Sequence, residues 1–177
     1  MSSLLQPVPT IYRQFRFRSR LEARWAVFFD RRGITFDYEP EGFPLPGGGA
    51  YLPDFWLPQV SMWAEVKPNS DESRLAIPHE AIWKASVVAV GTDHPFVIFD
   101  GLPRNTNYWA IYPDKMEPVG WDWNDVVPCE LNDYHLTEAR FYASTGANPL
   151  DHDWDGAGDE AACLAAKQAR FEHGERP

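Results

Sequence analysis

Tyr51-Leu52-Pro53-Asp54-Phe55-Trp56-Leu57-Pro58-Gln59-Val60-Ser61-Met62-Trp63-Ala64-Glu65-Val66-Lys67 contains two strand-like runs, Tyr51 to Leu57 and Ser61 to Lys67, with room between them only for a tight hairpin. A turn on Gln59 and Val60 pairs 58 with 61, 57 with 62, and 54 with 65. Asp54 then faces Glu65. Residues directly opposed across an antiparallel pair put their side chains on one sheet face, with Cβ atoms about 4.5 to 5.5 Å apart. Two like charges at that spacing repel unless something positive lies between them, and a divalent cation would serve. Lys67, two residues beyond Glu65, projects to the same face. A shift of one residue in the turn would send Asp54 and Glu65 to opposite faces.

Two carboxylates and an ammonium at one point suit Mg²⁺-assisted hydrolysis of a phosphodiester. Hard oxygen ligands hold an ion that keeps several waters, and the ion acidifies one water and clamps a phosphate oxygen. Lys67 would stabilise developing charge or orient the nucleophile, and the backbone carbonyl of Val66 is a candidate further ligand. Trp56 and Trp63 suggest that this face is not freely solvated. Each feature alone has a plainer explanation: Asp54 as a turn residue, Glu65 with Lys67 as a surface pair worth under about 1 kcal/mol.

Outward from the hairpin, Leu21, Trp25, Phe28 and Phe29 mark the buried face of a helix over residues 19 to 32 that Gly33 can close. Ile34, Phe36 and Tyr38 alternate with polar residues, predicting a strand ended by Pro40. On the other side, Pro78 suits the first turn of a helix whose stripe of Ile82, Ala85 and Ala89 runs to Gly91. Phe96 to Phe99 is a short strand. Helix, three strands, helix and strand in that order describe an α/β domain with a mixed sheet flanked by helices. Beyond Arg104, Tyr108 to Tyr112 and Trp121 to Val127 fit strands or aromatic-rich loops, and residues 160 to 173 fit a helix. The expected division is a core over 1–113 that includes the basic N-terminal segment, and an irregular, acidic, aromatic-rich extension over 114–177 whose terminal helix packs on the core.

Pro53-Asp54 and Glu65-Val66-Lys67, set on these elements, resemble the signature of the PD-(D/E)XK nuclease superfamily, over roughly residues 11 to 104. The resemblance implies a restriction-endonuclease-like core and a Mg²⁺-dependent deoxyribonuclease in which Mn²⁺ can substitute. It makes Asp54 and Glu65 metal ligands and Lys67 the catalytic cation. The superfamily often carries an acidic residue on its first helix, and Glu22 matches that position as an outer or second-metal ligand. Ser19-Arg20-Leu21-Glu22 is equally a capping box, in which the Glu22 carboxylate satisfies the helix N-terminus. Lys84 matches a Lys or Gln that relatives often place near the scissile phosphate; a solvated helix face is the alternative. The chain is also similar, more loosely, to small phage-encoded endonuclease-like proteins with a tail like Ala169 to Glu175.

The 177 residues are 44% hydrophobic and 15% aromatic, enough for a real core and against disorder over most of the length. A net charge of −10 opposes indiscriminate adhesion to nucleic acid, so any such contact must be local. Seven arginines lie within residues 1 to 32, against only Glu22 and Asp30, while residues 114 to 160 hold twelve acidic residues against Lys115 and Arg140. Arg16, Arg18 and Arg20 near the N-terminus, Lys84, and Lys167 with Arg170 in the tail are the candidate contacts to DNA phosphates. For the tail pair, helix-dipole complementarity is an equal alternative.

Cys129 and Cys163 form no CxxC pair, and no apolar run approaches the roughly 20 residues of a membrane span. A cytoplasmic protein without an organic cofactor is expected. Asp151-x-Asp153-x-Asp155-Gly156 copies the first half of an EF-hand loop, but Ala162 stands where the bidentate Glu belongs, so Asp159 and its neighbours are read as caps of the last helix. Two non-catalytic classes remain beside the nuclease: an acidic binding protein or DNA mimic built on residues 114 to 160, and a nuclease fold kept as an inactive DNA-binding module. Oligomeric state is left open, although one site per chain cutting both strands favours a homodimer.

Overall fold

The computed structural model describes residues 7–68, 78–103, 108–113, 127–129 and 157–171. Helix α1 covers Arg20–Arg32, and both its ends are set by local chemistry. Ser19 caps the start, its Oγ accepting the Glu22 N–H at 3.2 Å. Gly33 closes the end in the left-handed region (φ 69°), which a residue without Cβ enters at little cost. Ala23, Trp25, Ala26, Val27, Phe28 and Phe29 are buried between those ends.

The short strands β1 (Thr10–Tyr12) and β2 (Phe15–Phe17) form an antiparallel pair ahead of α1. After it come β3 (Asp37–Tyr38), β4 (Phe43–Pro44), β5 (Ala50–Tyr51), β6 (Phe55–Leu57) and β7 (Met62–Lys67). Helix α2 (His79–Thr92) leads to β8 (Phe96–Asp100), β9 (Tyr108–Ile111) and β10 (Val127–Cys129), and α3 covers Ala157–Gln168. The central sheet runs β10-β9-β8-β7-β6-β3. It is mixed: β7 and β8, joined through α2, are parallel, and the other neighbours are antiparallel. The expected α/β class with a mixed sheet and flanking helices is therefore present.

The hairpin has the predicted register. Phe55 pairs with Ala64, Trp56 with Trp63 and Leu57 with Met62. The turn is a little wider than a two-residue loop, closed by Val60 N–H to Leu57 O and Ser61 N–H to Pro58 O. Even-numbered residues of β7 (Met62, Ala64, Val66) join the cluster built on α1 and α3 with Phe17, Phe29 and Phe55. Trp63 faces the other way, toward Ala81, Ile82, Ala85, Val88 and Ala89 of α2 and toward Phe96 and Ile98 of β8. The sheet thus separates two apolar layers. Helix α3 packs on α1, and Ala162, Cys163 and Ala166 of the helix with Ala169 just beyond it join the cluster on that side of the sheet. Cys163 is buried and in no disulfide among the described residues.

Two strands differ from expectation for identifiable reasons. Only Asp37 and Tyr38 of the run from Ile34 pair with β6, because Gln59 in the hairpin turn takes over the earlier backbone groups. Its Oε1 accepts the Thr35 N–H at 2.7 Å and its Nε2 donates to Gly33 O at 3.2 Å. The run from Tyr51 to Leu57 is split: Ala50 and Tyr51 pair back onto β4, and the chain bends through Pro53 and Asp54 before entering the central sheet. Helix α2 continues one residue past Gly91, and α3 lies earlier than predicted, over 157–168. Tyr108–Ile111 and Val127–Cys129 are strands, whereas most of Trp121 to Val127 and the acidic run Asp151 to Gly156 lie outside the described residues. No helix among the described residues is long and apolar enough to cross a membrane.

Candidate functional site

The parity that puts Trp63 against α2 puts Glu65 and Lys67 on the same side, at the end of β7 where α2 begins. Asp54 arrives from the bend before β6. Its backbone carbonyl accepts the Glu39 N–H at 2.9 Å. Its side-chain Oδ2 accepts the Val66 N–H at 2.8 Å, a backbone donor that would otherwise go unpaired at the end of the hairpin ladder. That bond fixes the Asp54 carboxylate beside Glu65. Both are buried, at 7% and 5% relative exposure.

Burial raises the Asp54 carboxyl well above the ordinary aspartate range, and the charges of Glu65 and then Glu22 add to the effect. The Val66 N–H and Lys67 oppose it without cancelling it. Lys67, which is half-buried, places Nζ on Oε1 of Glu65. Oε2 of Glu65 is buried without a hydrogen-bond partner among the described residues. An acidic pair one cation short of balance, with an unpartnered oxygen, fits a divalent ion bound through these carboxylates.

Glu22 takes part differently. Its Oε1 accepts from Ser19 Oγ at 2.6 Å, and its Oε2 accepts from Tyr38 Oη at 2.6 Å and from the Arg18 N–H at 3.1 Å. The capping box is formed, with the carboxylate reaching one residue further back than the cap. Glu22 therefore acts on Asp54 through its charge while its oxygens serve the helix start. Among the described residues no three His, Cys, Asp or Glu side chains gather closely enough to enclose a metal by themselves. Mg²⁺ does not require such a cage, since it is usually held by one or two carboxylates together with water and substrate phosphate.

The basic candidates are spread over the molecule. Lys84 is half-buried on α2, with Nζ 2.6 Å from Oε1 of the exposed Glu80. The Lys84 hydrogen bond and charge hold the Glu80 carboxyl below its usual range, and Lys67 adds to this, so the start of α2 borders the acidic pair. Arg18 pairs its Nε with Glu39 Oε1 at 2.6 Å beside the start of α1. Arg16 is exposed on β2, and Arg20 opens α1. Lys167 and Arg170 are exposed at the end of α3, on the opposite side of the sheet from α2, and are not brought to Asp54.

Two participants gave no signal in the sequence. Tyr38, which reads as an alternating apolar strand residue, donates to Glu22; burial, then its hydrogen bond to Glu22, raises its phenol. Tyr51 packs in the layer under α2, and burial, then the charge and hydrogen-bonding influence of Glu65, raises its phenol strongly. Trp56 and Trp63 were legible as shielding: their rings stand 4.7 Å apart on the α2 side. No protein-family model and no curated protein matches the chain.

Proposed function

We propose that the chain is a metal-dependent nuclease with a restriction-endonuclease-like core that hydrolyses DNA phosphodiester bonds. One observation carries this: Asp54 from the bend before β6 meets Glu65 and Lys67 of β7 in a buried site, where burial and then the charge of Glu65 raise Asp54 and, among the described residues, Oε2 of Glu65 has no hydrogen-bond partner. Asp54 also serves the Val66 N–H, but that bond needs no second buried carboxylate beside it, and burying Glu65 there costs stability, which supports a functional reading.

Asp54 and Glu65 would hold Mg²⁺ or Mn²⁺, with the Val66 carbonyl as a further candidate ligand and Glu22 contributing negative charge from outside. The ion, when bound, supplies an acidified water and a clamp on a phosphate oxygen. Lys67 places an ammonium where charge develops on the phosphoryl oxygens and orients the attacking water. The water oxygen forms the new bond to phosphorus, one ester P–O bond breaks, and the proton ends on the departing sugar oxygen. Lys84, at the border of the site, and Arg16, Arg18 and Arg20 are the candidate cations for the DNA backbone, and a homodimer is the assembly suited to cutting both strands.

The test is incubation with linear, nicked, branched and single-stranded DNA in Mg²⁺, Mn²⁺ or chelator. Metal-dependent cleavage, lost in Asp54→Asn, Glu65→Gln and Lys67→Ala, is expected. Cleavage by those variants at the wild-type rate would overturn the mechanism. Binding to DNA without cutting would instead make the fold an inactive module, and competition with DNA without cutting would make it a mimic.

A further inference from the structure

Tyr51 belongs to no strand of the central sheet, yet its side chain lies in the layer between the sheet and α2. Pairing of β5 with β4 sets Tyr51 opposite Phe43, and its ring stacks on Phe96 at 6.1 Å between centroids and 22° between planes. The residue is 8% exposed and, among the described residues, its hydroxyl has no hydrogen-bond partner. Oε2 of Glu65 has none either, while Oε1 of the same carboxylate is held by Lys67. A buried donor and a buried acceptor left unsatisfied in one apolar layer are each costly, and together they are complementary.

We propose that Tyr51 is a positioning residue for Glu65: its O–H donates to Oε2 and fixes the carboxylate in the orientation that receives the divalent cation. This rests on the nuclease reading of the same site. Tyr51 packs in the layer under α2, on the side of β7 to which Trp63, Glu65 and Lys67 project. The carboxylate would then be held from both sides, by Lys67 on one oxygen and Tyr51 on the other, so that a cation meets a ligand whose conformation is already set. The phenol adds no charge and takes one lone pair of Oε2, leaving the other for the cation.

Tyr51→Phe keeps the ring and its stacking on Phe96 and removes only the donor. Calorimetric titration with Mn²⁺ should show binding about 10 to 100-fold weaker than in the wild type, the usual effect of losing an outer partner of a metal ligand. The urea midpoint should stay unchanged, and cleavage should recover toward the wild-type rate at saturating Mn²⁺. Mn²⁺ affinity within twofold of the wild type would overturn the proposal and leave the nuclease reading standing. Weaker binding accompanied by a matching fall in the urea midpoint would also overturn it, as a packing role. Absence of Mn²⁺ binding by the wild type would remove both readings together.

Discussion

Met62, Ala64 and Val66 on one face of β7 join the rings of Phe17, Phe29 and Phe55, with nothing ionisable among them, whereas the alternate residues Trp63, Glu65 and Lys67 bring charge into the layer under α2. One strand thus takes part in two environments of similar burial. The first face gains from every group it removes from water. The second holds two buried carboxylates, and burial, then the charge of Glu65, raises Asp54. A fold selected for stability alone would fill both faces in the same way. On the nuclease reading proposed above, the difference locates the part of the molecule kept for chemistry.

The comparison breaks most sharply with Glu65→Gln. Cleavage should fall by roughly 10³-fold or more, corresponding to several kcal/mol of lost transition-state stabilisation, while the urea midpoint does not fall. A parallel loss of folding would make Glu65 a structural residue. Phe29→Ala tests the other face. Phe29 is 1% exposed and its ring meets those of Trp25, Phe36, Phe55 and Phe99, so truncation should cost about 3 to 5 kcal/mol of stability, read by urea unfolding.

Asp54 sharpens the contrast through pH. A carboxyl raised in the folded state binds protons more readily than its unfolded counterpart, near 3.9. Its favourable contribution is therefore full below that unfolded value and is lost as pH climbs through the raised native value. Without metal, the wild type should gain stability relative to Asp54→Asn as pH falls from neutral toward about 4. A thermal-melt series on both proteins checks this, and curves that stay parallel would show that Asp54 is not raised. The smallest effect is expected at the helix start, where Ser19→Ala removes the cap and should cost about 1 kcal/mol, measured by the same unfolding assay. It should also loosen Glu22, which loses the Ser19 hydroxyl donor.

Much of this contrast was legible without coordinates. A turn on Gln59 and Val60 between the two strand-like runs gave the register that pairs Phe55 with Ala64, Trp56 with Trp63 and Leu57 with Met62, although the loop is wider and Asp54, expected to pair with Glu65, sits in the bend before β6. The limits of α1 were equally local, because Ser19 and Gly33 are end signals. The strand predicted from Ile34 was cut short by Gln59, a residue some 24 positions away. The break after Tyr51 came from pairing with Phe43 across the glycine turn.

By itself, then, the sequence determined the period-two faces, the caps and the carboxylate pair, since each depends on residues a few positions apart. Tertiary structure alone decided that the Glu22 oxygens go to Tyr38 and the cap, that α3 covers α1, and that Tyr51 packs in the layer under α2. Those outcomes depend on which distant groups compete for the same donor, acceptor or apolar surface. That competition is resolved only when the layers close.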